Sequence, residues 1–193
     1  MAEPLADQVL RKIGEARELY HRLILMVGPA GSGKTSALQE VSASTSAPLV
    51  NVNLELSSRM LDLTERQRAL QAPRLLGEIV TNPPGADLDA RSAPEGGGPG
   101  MARINEATGD LPAATLAAQA ALVLLDNIEI LFDVHLKQDP LRLFQGLSRN
   151  RTVVAAWNGS IVDGHMTYAV PDHPEYRRYP VRDFLVAGPE VTT

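Results

Sequence analysis

Gly28-Pro-Ala-Gly-Ser-Gly-Lys34-Thr35 sets a lysine and a hydroxyl at the end of a glycine-rich turn, directly after the apolar run Leu23-Ile-Leu-Met-Val27. That spacing suits a phosphate chain. Glycines let the backbone curl so that successive N–H groups point inward without Cβ clashes. On this reading Gly28, Pro29, Ala30, Gly31, Ser32, Gly33, Lys34, Thr35 and Ser36 form a nucleotide-binding loop. Lys34 reaches the β and γ phosphates, and the Thr35 hydroxyl coordinates Mg²⁺. Thr35 also opens an expected helix through Val41, whose positive dipole end faces the phosphates.

A nucleotide site needs a carboxylate to orient that metal, and Leu122-Val-Leu-Leu-Asp126 is an apolar run ending in an acid. Asp126 is therefore the expected metal-side partner of Thr35. Hydrolysis also needs a base, yet the position after Asp126 is Asn127 where an Asp-Glu pair would supply it. Glu129 and Glu55 are the candidate bases, and Asn127 could position water without deprotonating it. Asn158, at the end of a later apolar run, could donate its amide to the γ phosphate or the attacking water; otherwise it forms an Asn-Gly turn with Gly159. Arg149, Arg151, Arg177 and Arg178 are candidates for an arginine finger on developing phosphate charge. The four histidines lack metal-ligand spacing.

The elements that must hold these groups read as alternating helices and strands. Leu5, Val9, Ile13, Ala16 and Tyr20 predict an amphipathic helix over 4–20. Strands are expected at 23–27, 48–53, 121–126, 152–157 and 183–187, with a helix over about 57–79, interrupted near Pro73, and a short helix capped by Asp139-Pro140. Continuous apolar strands between helices predict a three-layer α/β fold with a mainly parallel five-stranded sheet covered on both faces. A strand candidate between the loop and the acidic strand points to the arrangement in which an additional strand separates them. No helical lid is evident after the fifth strand. Residues 81–112, with Asn82-Pro-Pro-Gly85 and Glu95-Gly-Gly-Gly-Pro-Gly100, read as a flexible Gly/Pro-rich insertion.

Composition bounds the rest. A chain of 193 residues with 44% hydrophobic content suits a single domain, 1–193, around one core. A net charge of −5 with three Phe, four Tyr and one Trp argues against a general nucleic-acid surface, leaving only local basic clusters. Without cysteine there is no disulfide, thiolate metal site or cysteine nucleophile. With no long apolar stretch and no leader-like N-terminus, the expectation is a cytoplasmic protein with no membrane partner.

Taken together, the phosphate loop, Leu124-Leu-Asp-Asn-Ile-Glu-Ile-Leu-Phe132, Asp139-Pro-Leu-Arg-Leu-Phe144, Ser148-Arg-Asn-Arg-Thr152 and Trp157-Asn-Gly159 resemble the BrxF family, small P-loop proteins of BREX bacteriophage-exclusion systems. The resemblance spans nearly the whole chain except the insertion. It implies an AAA-like P-loop NTPase fold, ATP with Mg²⁺, and antiphage defence alongside a DNA methyltransferase and other BREX proteins. The expected function is then ATP binding with slow or partner-stimulated hydrolysis, switching the protein between assembly states, including a homo-oligomer. A non-hydrolysing regulatory module is the alternative. A small-molecule kinase would need an acceptor pocket and an arginine-bearing lid, and direct DNA binding would use Arg149, Arg151, Arg177 and Arg178.

Overall fold

The computed structural model describes residues 3–84 and 122–188. Helix α1 (Leu5–Ala16) leads into β1 (Leu23–Gly28), and α2 (Lys34–Thr45) follows the glycine loop. Next come β2 (Leu49–Asn51), α3 (Val52–Arg59), α4 (Glu65–Thr81) and β3 (Leu122–Asp126). Two 3₁₀ turns, Glu129–Phe132 and Val134–Leu136, precede α5 (Pro140–Leu147) and β4 (Thr152–Asn158). The chain closes through β5 (Ile161–Val162), β6 (His165–Tyr168), β7 (Arg177–Pro180) and β8 (Leu185–Ala187).

Five strands form one parallel sheet in the order β2-β3-β4-β1-β8. An additional strand does separate β1 from β3, but it is β4, which follows the acidic strand in sequence. Alternation along the strands then fills two cores. Ile24, Met26, Leu124, Val154 and Ala156 meet Val9 of α1 and Leu38 and Val41 of α2 on one face. Leu25, Val27, Val123, Leu125 and Ala155 meet Leu56 of α3, Leu76 and Ile79 of α4 and Phe144 of α5 on the other. Both faces are buried, which is why these strands read as unbroken apolar runs.

Several expectations shift. The strand expected over 48–53 ends at Asn51, because the Asn51 side chain accepts the Leu54 N–H and starts α3 at Val52. Helix 57–79 is two helices, parted at Met60–Thr64, where Thr64 and Gln67 form a capping box that restarts the chain as α4. The first helix stops at Ala16, and Tyr20 is exposed. Of the expected insertion, the part from 85 to 112 lies outside the described residues. A second sheet, antiparallel in the order β5-β6-β7, has no counterpart in the sequence reading. Its strands are two to four residues long, too short to show a period.

Pro73 does not interrupt α4. A proline inside a helix costs about 3 kcal/mol, partly because the carbonyl four residues back loses its N–H partner. Here that carbonyl belongs to Ala69, and the Gln138 side-chain amide donates to it at 2.7 Å. The same amide donates to Leu136 O at 2.8 Å, which ties the second 3₁₀ turn to α4. Replacing Gln138 by alanine should destabilise the fold by about 1–2 kcal/mol in urea titrations. In a Pro73→Ala background, where the helix supplies its own N–H to Ala69 O, the double-mutant cycle should return a clearly smaller loss.

Candidate functional site

The C-terminal ends of β1, β3 and β4 emerge along one edge of the sheet, and a cleft of about 390 Å³ lies there. Its walls come from the glycine loop and the start of α2 (Ala30, Gly31, Gly33, Lys34, Thr35, Ser36), from the end of β3 (Asp126, Asn127, Glu129) and from β4 (Ala156, Asn158). Most of the expected site residues are thereby brought together. Gly28, Pro29 and Ser32 do not line this cleft but hold Lys34 from behind. Glu55, midway along α3, is not among the lining residues.

Local conformation explains the residue types. Gly31 and Gly33 have φ of 78° and 83°, the left-handed region in which a Cβ costs about 1–2 kcal/mol. Gly33 is the N-cap of α2, so the first-turn amides at Lys34, Thr35 and Ser36 have no acceptor within the helix and are free to bind an anion. Asn127 also sits in the left-handed region, with φ 51°. Asparagine tolerates that conformation better than glutamate, which supplies a backbone reason for the missing Asp-Glu pair. The Asn127 carbonyl accepts the Asn53 N–H at 2.9 Å, pinning the end of β3 to α3, and its own N–H donates to Asp126 Oδ1 at 3.0 Å.

Lys34 is turned back on its own loop. Its ammonium donates to Gly28 O at 2.8 Å, Pro29 O at 2.6 Å and Ser32 Oγ at 3.1 Å. Burial lowers its pKa from the ordinary lysine value, while the nearby charges of Asp126 and Glu129 pull the other way. The carboxylates that favour its charged form are therefore the ones facing it across the cleft. Glu129 is held by Asn158, whose Nδ2 donates to Glu129 Oε1. This acid and this amide, chosen separately from the sequence, form one pair.

The fit to a phosphate chain rests on free helix amides, two left-handed glycines, and a buried ammonium whose hydrogen-bond acceptors are neutral groups of its own loop. Thr35 and Asp126 face the same cleft, so they could share a divalent cation. Among the described residues no cluster of three or more His, Cys, Asp or Glu has metal-binding geometry, so its remaining ligands would be phosphate oxygens and water.

The candidate arginines lie elsewhere. Arg149 and Arg151 precede β4, at the opposite end of a seven-residue strand and roughly 20 Å from the cleft. The Arg151 guanidinium donates to Val80 O at the end of α4, and Arg149 lies over the Tyr20 ring at 5.8 Å. Arg177 and Arg178 are on β7, in the other sheet, so the four form no single basic face.

Sequence reasoning missed what supports the pair. Trp157, one residue before Asn158, donates its indole N–H to Thr167 O at 2.9 Å. Phe132, closing the turn that Glu129 begins, stacks on Tyr168 with ring centroids 3.5 Å apart and meets Trp157 edge-on at 4.9 Å. Gly159 N–H donates to Gly28 O at 3.1 Å, and a Cβ on Gly159 would fall 1.8 Å from Thr167 O. The antiparallel sheet is thus locked to both the glycine loop and the Glu129–Asn158 pair. The signal in the sequence was the Asn-Gly step itself, which serves close approach of two backbones as well as a turn. Among the described residues no helix is long and apolar enough to cross a membrane.

Burial pushes the Tyr168 phenol up to about 12, with the charges of Glu175 and Glu129 adding to it. Burial, then the Asp139 charge and hydrogen bond, raise Tyr179 in the same direction. Both folded values lie above the ordinary 10.0, so the stability these phenols contribute is complete below pH 10 and disappears as pH rises through the folded values. Fluorescence of Trp157, the only tryptophan, should therefore report an alkaline transition beginning between about pH 10 and 12, and Tyr168→Phe should make it shallower.

Comparison of the chain with known proteins returns no matching family model, no matching curated protein and no matching solved structure.

Proposed function

We propose that this protein is a P-loop NTPase that binds ATP with Mg²⁺, hydrolyses it slowly or on stimulation by a partner, and uses the nucleotide to switch between assembly states. The observation that carries this reading is the convergence in one cleft of the glycine loop with Asp126 and the Glu129–Asn158 pair. Lys34 would exchange Gly28 O and Pro29 O for phosphate oxygens, while the amides at Lys34, Thr35 and Ser36 hold the chain by the dipole end of α2. Mg²⁺ held by Thr35 and Asp126 would neutralise part of the phosphate charge. Glu129 is the base that takes a proton from the attacking water, and Asn158 orients that water or the γ-phosphate oxygen.

The Asn158 amide holds one oxygen of the Glu129 carboxylate, which fixes the orientation of the base and takes up a lone pair of that oxygen. That supports slow turnover awaiting an activating contact. Among the described residues no arginine lines the cleft, so charge that develops on the γ phosphate meets Lys34 as the one cationic side chain they place there. A cation supplied by another subunit or partner would complete it. The resemblance to BrxF proteins gives the setting, a cytoplasmic BREX antiphage complex with other defence proteins. The second reading, a non-hydrolysing regulatory module, is favoured by Asn127 in place of a glutamate and by the same restraint on Glu129.

Calorimetric titration and phosphate release on one purified sample separate these readings. Lys34→Ala should weaken MgATP binding by at least tenfold, and Asp126→Ala should remove the Mg²⁺ dependence. Glu129→Gln should retain binding and lose about 10²–10⁴-fold in turnover. Binding without turnover, even with partners present, selects the regulatory module, and absence of MgATP binding at millimolar nucleotide overturns both. An oligomeric mass and partner retention that do not respond to ATP would remove the switching role.

A further inference from the structure

A second cavity, about 920 Å³, adjoins the loop on the side away from the acids. It is more than twice the size of the cleft; Asp126, Glu129 and Lys34 do not line it, and the charged groups that do are Lys12 and the mutually paired Glu3 and Arg11, 3.0 Å apart. Two residues of the glycine loop, Gly28 and Pro29, form part of its wall. Val27, Ile161, Val181 and Val186 supply apolar surface, while Gln8 and Lys12 of α1 stand at its edge. A pocket of this size with apolar walls and a few polar groups suits a flat organic ligand better than an inorganic ion.

Its position follows from the strand order. Asp126 ends β3 and Glu129 follows it, which marks where the reactive end of a bound phosphate chain would lie. Across β4 lie β1, which ends in Val27 and Gly28, and β8, which carries Val186. A chain anchored on the loop with its reactive end toward β3 therefore extends its other end over β1 and β8, into this cavity. Ile161 and Val181 bring in the antiparallel sheet as the facing wall. That sheet is fixed in place by the Gly159 N–H on Gly28 O and by the Trp157 indole on Thr167 O.

We propose that this cavity is the nucleoside subsite, in which α1 and the three-stranded antiparallel sheet grip the base and ribose of the bound nucleotide. The inference rests on the polyphosphate reading of the glycine loop. It gives the small sheet the task that a helical lid would otherwise perform, and it makes the protein selective for a nucleoside polyphosphate over inorganic polyphosphate. Gln8 brings a side-chain amide to this cavity; its Nε2 donates to Glu3 O at 3.0 Å and its Oε1 accepts the Gly188 N–H at 3.4 Å, so it would meet the edge of a base with its second N–H and its remaining lone pair.

The test titrates MgATP and magnesium tripolyphosphate separately into the full chain, wild type against Val181→Trp and Ile161→Trp, each of which fills the cavity without touching the glycine loop. Wild type should bind MgATP at least tenfold tighter than tripolyphosphate. The filling variants should lose that advantage while holding tripolyphosphate within about twofold of wild type, which also shows that they fold. Equal affinity of wild type for both ligands overturns the proposal and leaves the phosphate site standing. So does undiminished MgATP affinity in both variants, or an equal loss of both ligands in both. Failure of either ligand to bind wild type removes the phosphate site and this subsite together.

Discussion

Parallel pairing of β4 with both β1 and β3 is the constraint on which the other features depend. The registers run Leu23 to Gly28 against Val153 to Asn158, and Leu122 to Leu125 against Thr152 to Ala155. Because all three strands point the same way, the residues that leave them emerge on one edge: the glycine loop after Gly28, Asp126 and its turn, and Asn158. A register slip of one residue would turn each apolar side chain to the wrong face, so two buried cores fix the alignment of the site. Packing thus sets the chemistry, since the strands are held by Leu25, Val123, Val153 and their neighbours rather than by contacts among the polar groups.

The second sheet adds a different kind of support. Tyr168 from β6 lies flat on Phe132, and Trp157 meets both rings edge-on. Large rings bury much area and fix orientation, so a few residues suffice to hold short strands that could not stand alone. Two of the three rings belong to segments that carry cleft residues: Trp157 precedes Asn158, and Phe132 ends the turn begun by Glu129. Displacement of the sheet would therefore be felt at the Glu129–Asn158 bond through side chains that touch no ligand.

The main sheet was legible in the sequence because strands buried on both faces leave an apolar run that nothing on the surface interrupts. The glycine loop was legible because it needs particular residues at particular φ. Asn51 was less so: the same residue reads as the middle of a strand or as a helix cap, and only the bond to Leu54 N decides. Pro73 misleads for the opposite reason, since its local penalty is real but is offset by Gln138, 65 positions further along the chain. Glu129 and Asn158 were each identifiable as polar residues at or just past the end of a strand, but their pairing depends on β3 and β4 being neighbours. Glu55 follows from nearness to the end of β2, an edge strand that pairs with β3 and touches neither β4 nor β1, and its place midway along α3 leaves it outside the cleft lining.

Lys34 has a consequence of another sort. Its three acceptors, Gly28 O, Pro29 O and Ser32 Oγ, all belong to its own loop, so the ammonium is satisfied from within while the helix amides are not. Occupation is then an exchange of partners and not a simple addition. Any incoming anion must outcompete neutral carbonyls already at contact distance. A single weakly charged anion, offering one or two oxygens, has little advantage in that exchange, whereas a linear polyanion engages the ammonium and the helix amides at once. On the proposed polyphosphate reading the loop would then act as a threshold device, passing over small single anions and responding to dense negative charge.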